Sequence, residues 1–394
     1  MLPLDGIKVL DLSRVLSGPF CGMLLGDLGA EVIKVESPKK GEFTRSLGPF
    51  YKGESLYTMV LNRNKKSLTL DLRSGEGKKI LHDLIKWADI IIENFKPGVM
   101  AKIGFDYDKI MQIDESKIML SISGFGQGGP LSHKPGFDAI AQAMSGIMSL
   151  TGEKDNPPLI AGTFIVDFLA ALYGTIGILT ALREREKSGK GQHIDVSLLD
   201  AGFSTLLTAL PAYKLLNEIP KRIGNRDRYA APVNSFKAKD GFVYINAGNQ
   251  KMWENLCYTI KRDDLLKNPK FKTNKSRLSN VVELEKEISN WVKKYKKMEV
   301  MKIMDEVSVP CGPILELPEV FNLEQLQYRE QILEYEHPKL GKITLPGFPI
   351  KFSRTKQKIR FHPPSIGEQN SEILINILNY TSEEIKELLK EGVI

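Results

Sequence analysis

Short apolar runs and helical stripes alternate along the first half of the chain. Residues 7–12 read as a buried strand, 19–28 as a helix with proline in its first turn, and 31–35 as a second strand. Residues 67–72 are strand-like, and 75–87 place Ile80, Leu81, Leu84 and Ile85 on one side of a helix. Residues 89–92 and 118–122 are further apolar runs, followed by helical patterns over 137–149 and 163–182. Repeated strand-helix units predict a parallel sheet covered on both faces. The rhythm breaks near residue 220. A strand over 242–246, a helix over 253–260 and lysine-rich helices near 280–296 and 298–307 predict a smaller α+β domain. Beyond it, strands at 343–345 and 350–352 precede two terminal helices, the second opening on the capping-box pattern Thr381-Ser382-Glu383-Glu384. The expected division is a large α/β domain over 1–224, a small domain over 225–325, and a return segment over 326–394 that packs back onto the first domain or a neighbouring subunit.

Composition narrows the class. The chain has 394 residues, 42% hydrophobic and 26% charged, which excludes a disordered, collagenous or coiled-coil protein. Three separated cysteines, Cys21, Cys257 and Cys311, offer neither a disulfide framework nor a thiolate metal site. Nothing at the N-terminus resembles an export signal, so a reducing, cytoplasmic setting is expected. The net charge of +7 sits largely in lysine clusters that read as solvated helix faces, and no DNA- or RNA-binding motif accompanies it. Residues 163–182 are long enough to cross a bilayer and hold one ionisable group, Asp167, but their glycines and threonines favour a buried core helix. No nucleic-acid or membrane partner is expected.

Gly124-Phe125-Gly126-Gln127-Gly128-Gly129 satisfies G-x-G-x-x-G after a strand. Pro130 and Pro135 follow at once, so no helix N-terminus is offered to a pyrophosphate, and the first strand-to-helix turn lacks the glycines. The histidines show no pair at ligand spacing, and neither Ser123 nor Ser145 completes a G-x-S-x-G elbow. No permanently bound cofactor or metal is expected. Asp167 is the conspicuous group, an acid near the start of an apolar helix. It reads either as a carboxylate stabilised by the helix dipole or as a nucleophile kept partly dry, able to carry an acyl group as an anhydride. Asp138 opens the preceding helix and has the same two readings. Gly248, Asn249 and Gln250 form either a plain strand-to-helix connector or a flexible turn presenting N–H groups to a reacting oxygen.

Several stretches carry a resemblance. Val9-Leu10-Asp11-Leu12-Ser13, Ser17-Gly18-Pro19 and Gly26-Asp27-Leu28-Gly29-Ala30-Glu31-Val32-Ile33-Lys34-Val35-Glu36 open the chain in the manner of the class III CoA-transferases, a group that includes α-methylacyl-CoA racemase. Leu61-Asn62-Arg63-Asn64-Lys65-Lys66-Ser67, Glu93-Asn94-Phe95-Lys96-Pro97-Gly98, Gly124-Phe125-Gly126, Gly191-Gln192-His193-Ile194-Asp195-Val196 and Val309-Pro310-Cys311-Gly312-Pro313 continue the match in family order. The resemblance implies a Rossmann-like large domain built from both chain ends, a smaller α+β domain, and an interlaced homodimer. It implies acyl-CoA:carboxylate CoA transfer through an aspartyl anhydride and an aspartyl-CoA thioester, with CoA thioesters as substrates, Asp167 as the acyl carrier, and Asp138, Gly248, Asn249 and Gln250 beside it. CoA contacts carry over to Leu16, Ser17, Ser37, Leu61, Asn62, Arg63, Asn64, Asn94, Phe95, Lys96, Lys102, Pro135, Gly136 and Phe137. Racemisation needs a second proton carrier where this chain has Phe137, and a phenyl ring accepts no proton. A non-catalytic CoA-ester binder would share the CoA contacts without requiring Asp167. Departures from the formyl-CoA transferase pattern at Leu16, Ser37, Lys102, Pro135, Phe137, Asp138 and Asn249 argue against formyl or oxalyl specificity. The wording Arg14-Val15-Leu16-Ser17-Gly18-Pro19 points toward relatives that use succinyl-CoA and other dicarboxylates.

Overall fold

A computed structural model describes residues 1–394 and divides into two compact units. The larger comprises Met1–Ile147, Ala161–Thr208 and Gln325–Ile394. Its centre is a parallel six-stranded sheet of β1 (Lys8–Asp11), β2 (Glu31–Glu36), β3 (Lys65–Thr69), β4 (Ile90–Glu93), β5 (Ile118–Ser123) and β6 (His193–Ser197), in the spatial order 3-2-1-4-5-6. β4 and β5 are buried at every position, as both-face coverage requires. One face is closed by α2 (Gly75–Trp87) through Ile80, Leu81, Leu84 and Ile85, and by the terminal helices Asn370–Asn376 and Ser382–Glu391 through Ile373, Leu374, Ile385 and Leu388. The other face is closed by α1 (Ser17–Asp27) and α4 (Ile165–Ser188), the latter through Ala170, Ala171, Ile178 and Ala181. Gly174 brings α4 against the sheet, since a Cβ there would meet Leu120 Cδ2 at 2.8 Å.

The strand order reverses between β1 and β4. Their outgoing connections leave in opposite directions, which opens a crevice at the carboxyl ends of the strands. The helical pattern over 137–149 is interrupted: α3 (Asp138–Ser145) stops at Gly146, φ 100°, and a single turn follows at Ile147–Leu150. α4 is long and apolar enough to cross a membrane, by length and composition alone. Its sheet-facing side is buried, whereas Leu172, Ile176 and Leu179 are exposed. Residues 350–352 are not a strand, contrary to the sequence pattern. Ile332–His337 pairs instead with Gly341–Pro346, and Pro346 and Pro349 end the ladder before residue 350.

The second unit comprises Met148–Ile160 and Ala209–Glu324. It therefore takes in residues 148–160 and 209–224, which the pattern placed with the first domain. Arg222 ties these two excursions together by donating to the carbonyls of Glu153 and Asn156, at 3.2 and 2.8 Å. Three antiparallel strands, Val233–Ala238, Gly241–Asn246 and Cys311–Pro313, lie against helices Gln250–Thr259, Val281–Val292 and Lys297–Glu306. Trp253, Leu256, Leu284, Ile288, Val300 and Met304 fill its core.

Candidate active site

A cavity of about 400 Å³ opens at the crevice, between the ends of β1, β4 and β5 and the start of α4. Its first wall is the turn from β1 into α1. Asp11, fully buried, accepts from the Ser13 N–H at 3.0 Å and from its hydroxyl. Lys65 Nζ donates to Asp11 Oδ2 at 2.8 Å, and Lys34 Nζ lies 3.4 Å from Oδ1. Burial alone would raise the Asp11 carboxyl, but the two ammonium groups outweigh it and hold it at about 2. The same lysines donate to the carbonyls of Ser13 and Pro19, so a buried charge cluster fixes both ends of the turn.

The turn is constrained further along. The Asn94 side chain accepts the Arg14 N–H at 2.7 Å and donates to the Arg14 carbonyl at 2.6 Å. Val15 sits at φ 66°, a conformation that costs a β-branched residue about 1–3 kcal/mol, with its N–H on Glu42 Oε2 at 3.1 Å. The second wall, at the end of β4, is held by Glu93, which accepts the Phe95 N–H at 2.8 Å. Burial pushes Glu93 up to about 7 against the Ser121 hydroxyl and the Phe95 N–H, with Asp195 adding to the rise.

Asp167 lies in the first turn of α4 and lines the cavity. Phe164, at the N-cap, has no side-chain oxygen to offer the helix, and Asp138 supplies the cap from α3: its Oδ1 accepts the N–H groups of Val166 and Asp167 at 2.8 and 3.2 Å. Its Oδ2 accepts from Gln142 Nε2 at 2.6 Å, and Gln142 Oε1 in turn accepts the Ala161 N–H at 3.0 Å. Asp138 therefore orients the start of α4 and does not line the cavity. Burial, and then the like charge of Asp138, push Asp167 up to about 7 against the hydrogen bond from the Ser17 hydroxyl. A carboxylate half-ionised near neutrality, at a helix N-terminus and facing an open cavity, is suited to nucleophilic attack on an activated acyl carbon.

The structure brings together Leu16, Ser17, Asn94, Phe95, Lys96, Pro135, Gly136 and Phe137 with Asp167 around this one cavity. Phe137 projects into solvent at 65% exposure. Ser37 is exposed beyond β2, Lys102 is exposed on the short helix Val99–Ile103, and neither lines the cavity. Leu61, Asn62, Arg63 and Asn64 also lie outside it. Arg63 and Asn64 are buried and bonded to Asp27, while Leu61 and Arg63 border a second, largely apolar cavity of about 550 Å³ that shares Leu16. Gly248, Asn249 and Gln250 belong to the second unit. There the Gly248 N–H is bonded to Asn246 Oδ1 at 3.2 Å, Asn249 caps the following helix through Met252, and Gln250 meets Glu254 and Arg277. The first of these N–H groups is thus already taken.

Arg14, Phe43 and Lys134 also line the cavity, and no sequence pattern marks them for it. Arg14 and Lys134 each adjoin a chosen segment, so proximity along the chain was the available signal. Phe43 had none, because it reaches the cavity from the short helical turn Phe43–Ser46.

Comparison with known proteins places this geometry in context. A family model described as CoA-transferase family III matches residues 4–370. Succinyl-CoA:glutarate CoA-transferase of Homo sapiens is 38% identical over 393 residues, 100% of this chain and 90% of that one. Acetyl-CoA:oxalate CoA-transferase of Acetobacter aceti is 39% identical over 352 residues, 89% of each chain. The crystal structure of a CAIB/BAIF family protein from Brucella suis aligns with a TM-score of 0.86 at 35% identity, covering 95% of this chain and 99% of that one.

Proposed function

Because the chain belongs to CoA-transferase family III, we propose that it moves CoA from an acyl-CoA donor to a free carboxylic acid, with Asp167 carrying first the acyl group and then the CoA. The observation that carries this reading is the placement of Asp167: in the cavity, bonded by Ser17, and poised near neutrality by burial. The ionised carboxylate attacks the donor thioester carbon, the C–S bond breaks, and CoA departs as thiolate while a mixed anhydride forms. The thiolate then attacks the aspartyl carbonyl, releasing the donor acid and leaving an aspartyl-CoA thioester. The acceptor carboxylate displaces CoA to form a second anhydride. Thiolate attack on the acceptor's acyl carbon gives the new acyl-CoA and restores Asp167.

Leu16, Ser17, Asn94, Phe95, Lys96, Pro135, Gly136 and Phe137 are the CoA contacts that the cavity supports. Ser37, Lys102 and Leu61 to Asn64 rest on the resemblance alone, and the saturated bonding of Arg63 and Asn64 favours a structural role for them. Asp138 acts by positioning Asp167. Gly248, Asn249 and Gln250 beside Asp167 likewise rest on the resemblance alone. The strand order supports the Rossmann-like description of the large unit. The exposed Leu172, Ile176 and Leu179 on α4, with Ile140 and Met144 on α3, support a homodimer that covers them. Succinyl-CoA and other dicarboxylates are the expected substrates, in keeping with the name of the human relative.

Incubation with a panel of acyl-CoAs, followed by hydroxylamine trapping and peptide mass mapping, tests the covalent step. Modification of the Asp167 peptide is the expected result. Transfer activity without any adduct there would contradict the reading.

A further inference from the structure

Three cations line the cavity, Arg14, Lys96 and Lys134, and of these only Arg14 carries a planar guanidinium. Arg14 lines the same cavity as Asp167, and its guanidinium lies 5.0 Å from the centroid of the Phe95 ring without pairing with any carboxylate of the chain. Two buried arginines of the large unit are fully bonded by contrast: Arg45 meets Glu36 through two nitrogens, and Arg63 meets Asp27 and the Pro346 carbonyl. The Arg14 backbone is nevertheless gripped on both its N–H and C=O by Asn94 and followed by the left-handed Val15. Asn94 Nδ2 also approaches the Ser17 hydroxyl at 3.5 Å, and that hydroxyl bonds Asp167. The Arg14 backbone and the nucleophile are thus held to one frame, while the exposed guanidinium stacks on Phe95 and pairs with no carboxylate.

We propose that Arg14 receives the distal carboxylate of a dicarboxylic acyl group whose proximal carboxyl carbon reacts at Asp167. This rests on Asp167 being the acyl carrier and names the feature that makes dicarboxylates the substrates. A planar guanidinium fits a carboxylate edge through two parallel hydrogen bonds, and the ring beneath fixes its plane. A CoA phosphate is the other anion that could meet it. Exposed Lys96 and Lys134 line the same cavity and serve that group as point charges.

Single-turnover CoA release from succinyl-CoA and from butyryl-CoA, which matches it in chain length but lacks the second carboxylate, separates these roles. Arg14→Gln is expected to slow the succinyl-CoA reaction by about 10- to 100-fold and the butyryl-CoA reaction far less, with CoA affinity retained. Arg14→Lys restores part of the difference. Lys96→Met is expected to weaken CoA binding and slow both donors alike. An equal loss with both donors in Arg14→Gln, or a parallel loss of CoA affinity, would overturn the assignment and leave the role of Asp167 standing. Calorimetric binding of glutarate to Asp167→Asn reads the pairing without chemistry. It is expected to persist there and to vanish when Arg14→Gln is added, and unchanged binding in the double variant would again overturn the proposal.

Discussion

Two buried charge clusters flank helix α1, and they differ in what they leave open. At its N-terminal end, Asp11, Lys34 and Lys65 clamp a turn whose outer side chains, Arg14, Leu16 and Ser17, line the cavity. At its C-terminal end, Asp27 meets Arg63 and Asn64, and these continue into the return segment through the carbonyls of Pro346 and Lys358 and the N–H of Arg360. Both clusters come from stretches that the family resemblance marks. One supports a site with an unpaired cation, and the other closes the fold on itself. A marked residue is therefore better judged by whether its hydrogen-bonding capacity is already filled than by the motif that contains it.

Asp167→Ala is expected to lower CoA transfer by on the order of a thousandfold or more, because no other cavity carboxylate is placed to carry the acyl group. Acyl exchange assays at saturating donor check this, with melting temperature as the control. Arg63→Met should act in the opposite way. It leaves Asp27 buried at 2% exposure without its guanidinium partner, so a stability loss of about 3–5 kcal/mol in urea unfolding is expected, with little change in the KM for acyl-CoA. A raised KM at preserved stability would move Arg63 into the binding site and dissolve the contrast between the clusters.

A smaller effect concerns pH. Asp167 has a folded-state value of about 7 against an ordinary 3.8. Attack requires the ionised form, so the single-turnover rate should rise about tenfold per pH unit below 7 and level off above it. Asp138→Asn keeps an oxygen for the cap but removes the like charge, and should move that inflection to lower pH. Stability carries the reverse sign. The penalty for ionising Asp167 is absent below its unfolded value, grows as pH rises, and is complete above about 7. Asp167→Asn should therefore stabilise the fold by about 1–3 kcal/mol at pH 8 and by nothing at pH 4.

Much of the large sheet was legible because its strands are continuous apolar runs, such as Ile90 to Ile92 and Ile118 to Ile122, bounded by helical periodicity. Strand order was not, because it is decided by crossover packing rather than by any local pattern. Residues 350–352 misled because apolar alternation alone does not make a strand: the ladder ends with Ile332 opposite Pro346, and Pro346 and Pro349 stop it short of them. Asp167 was conspicuous as a lone acid in an apolar helix. Its cap by Asp138 was not readable, since the bond joins residues on different helices. The contrast between Arg14 and Arg63 lay further out of reach, because the bond that completes Arg63 comes from Pro346, far along the chain.

If Asp167 is covalently part of each turnover, heavy oxygen carried in by the acceptor ends up on its side chain. With the acceptor acid labelled in its carboxylate, displacement of CoA from the aspartyl thioester makes a labelled oxygen the bridge of the second anhydride. Thiolate attack on the acceptor's acyl carbon then leaves that oxygen on Asp167. Mass analysis after turnover is expected to find the label in the Asp167 peptide. Product formation with an unlabelled Asp167 would contradict the account, since CoA would then have passed between substrates without the enzyme's carboxylate.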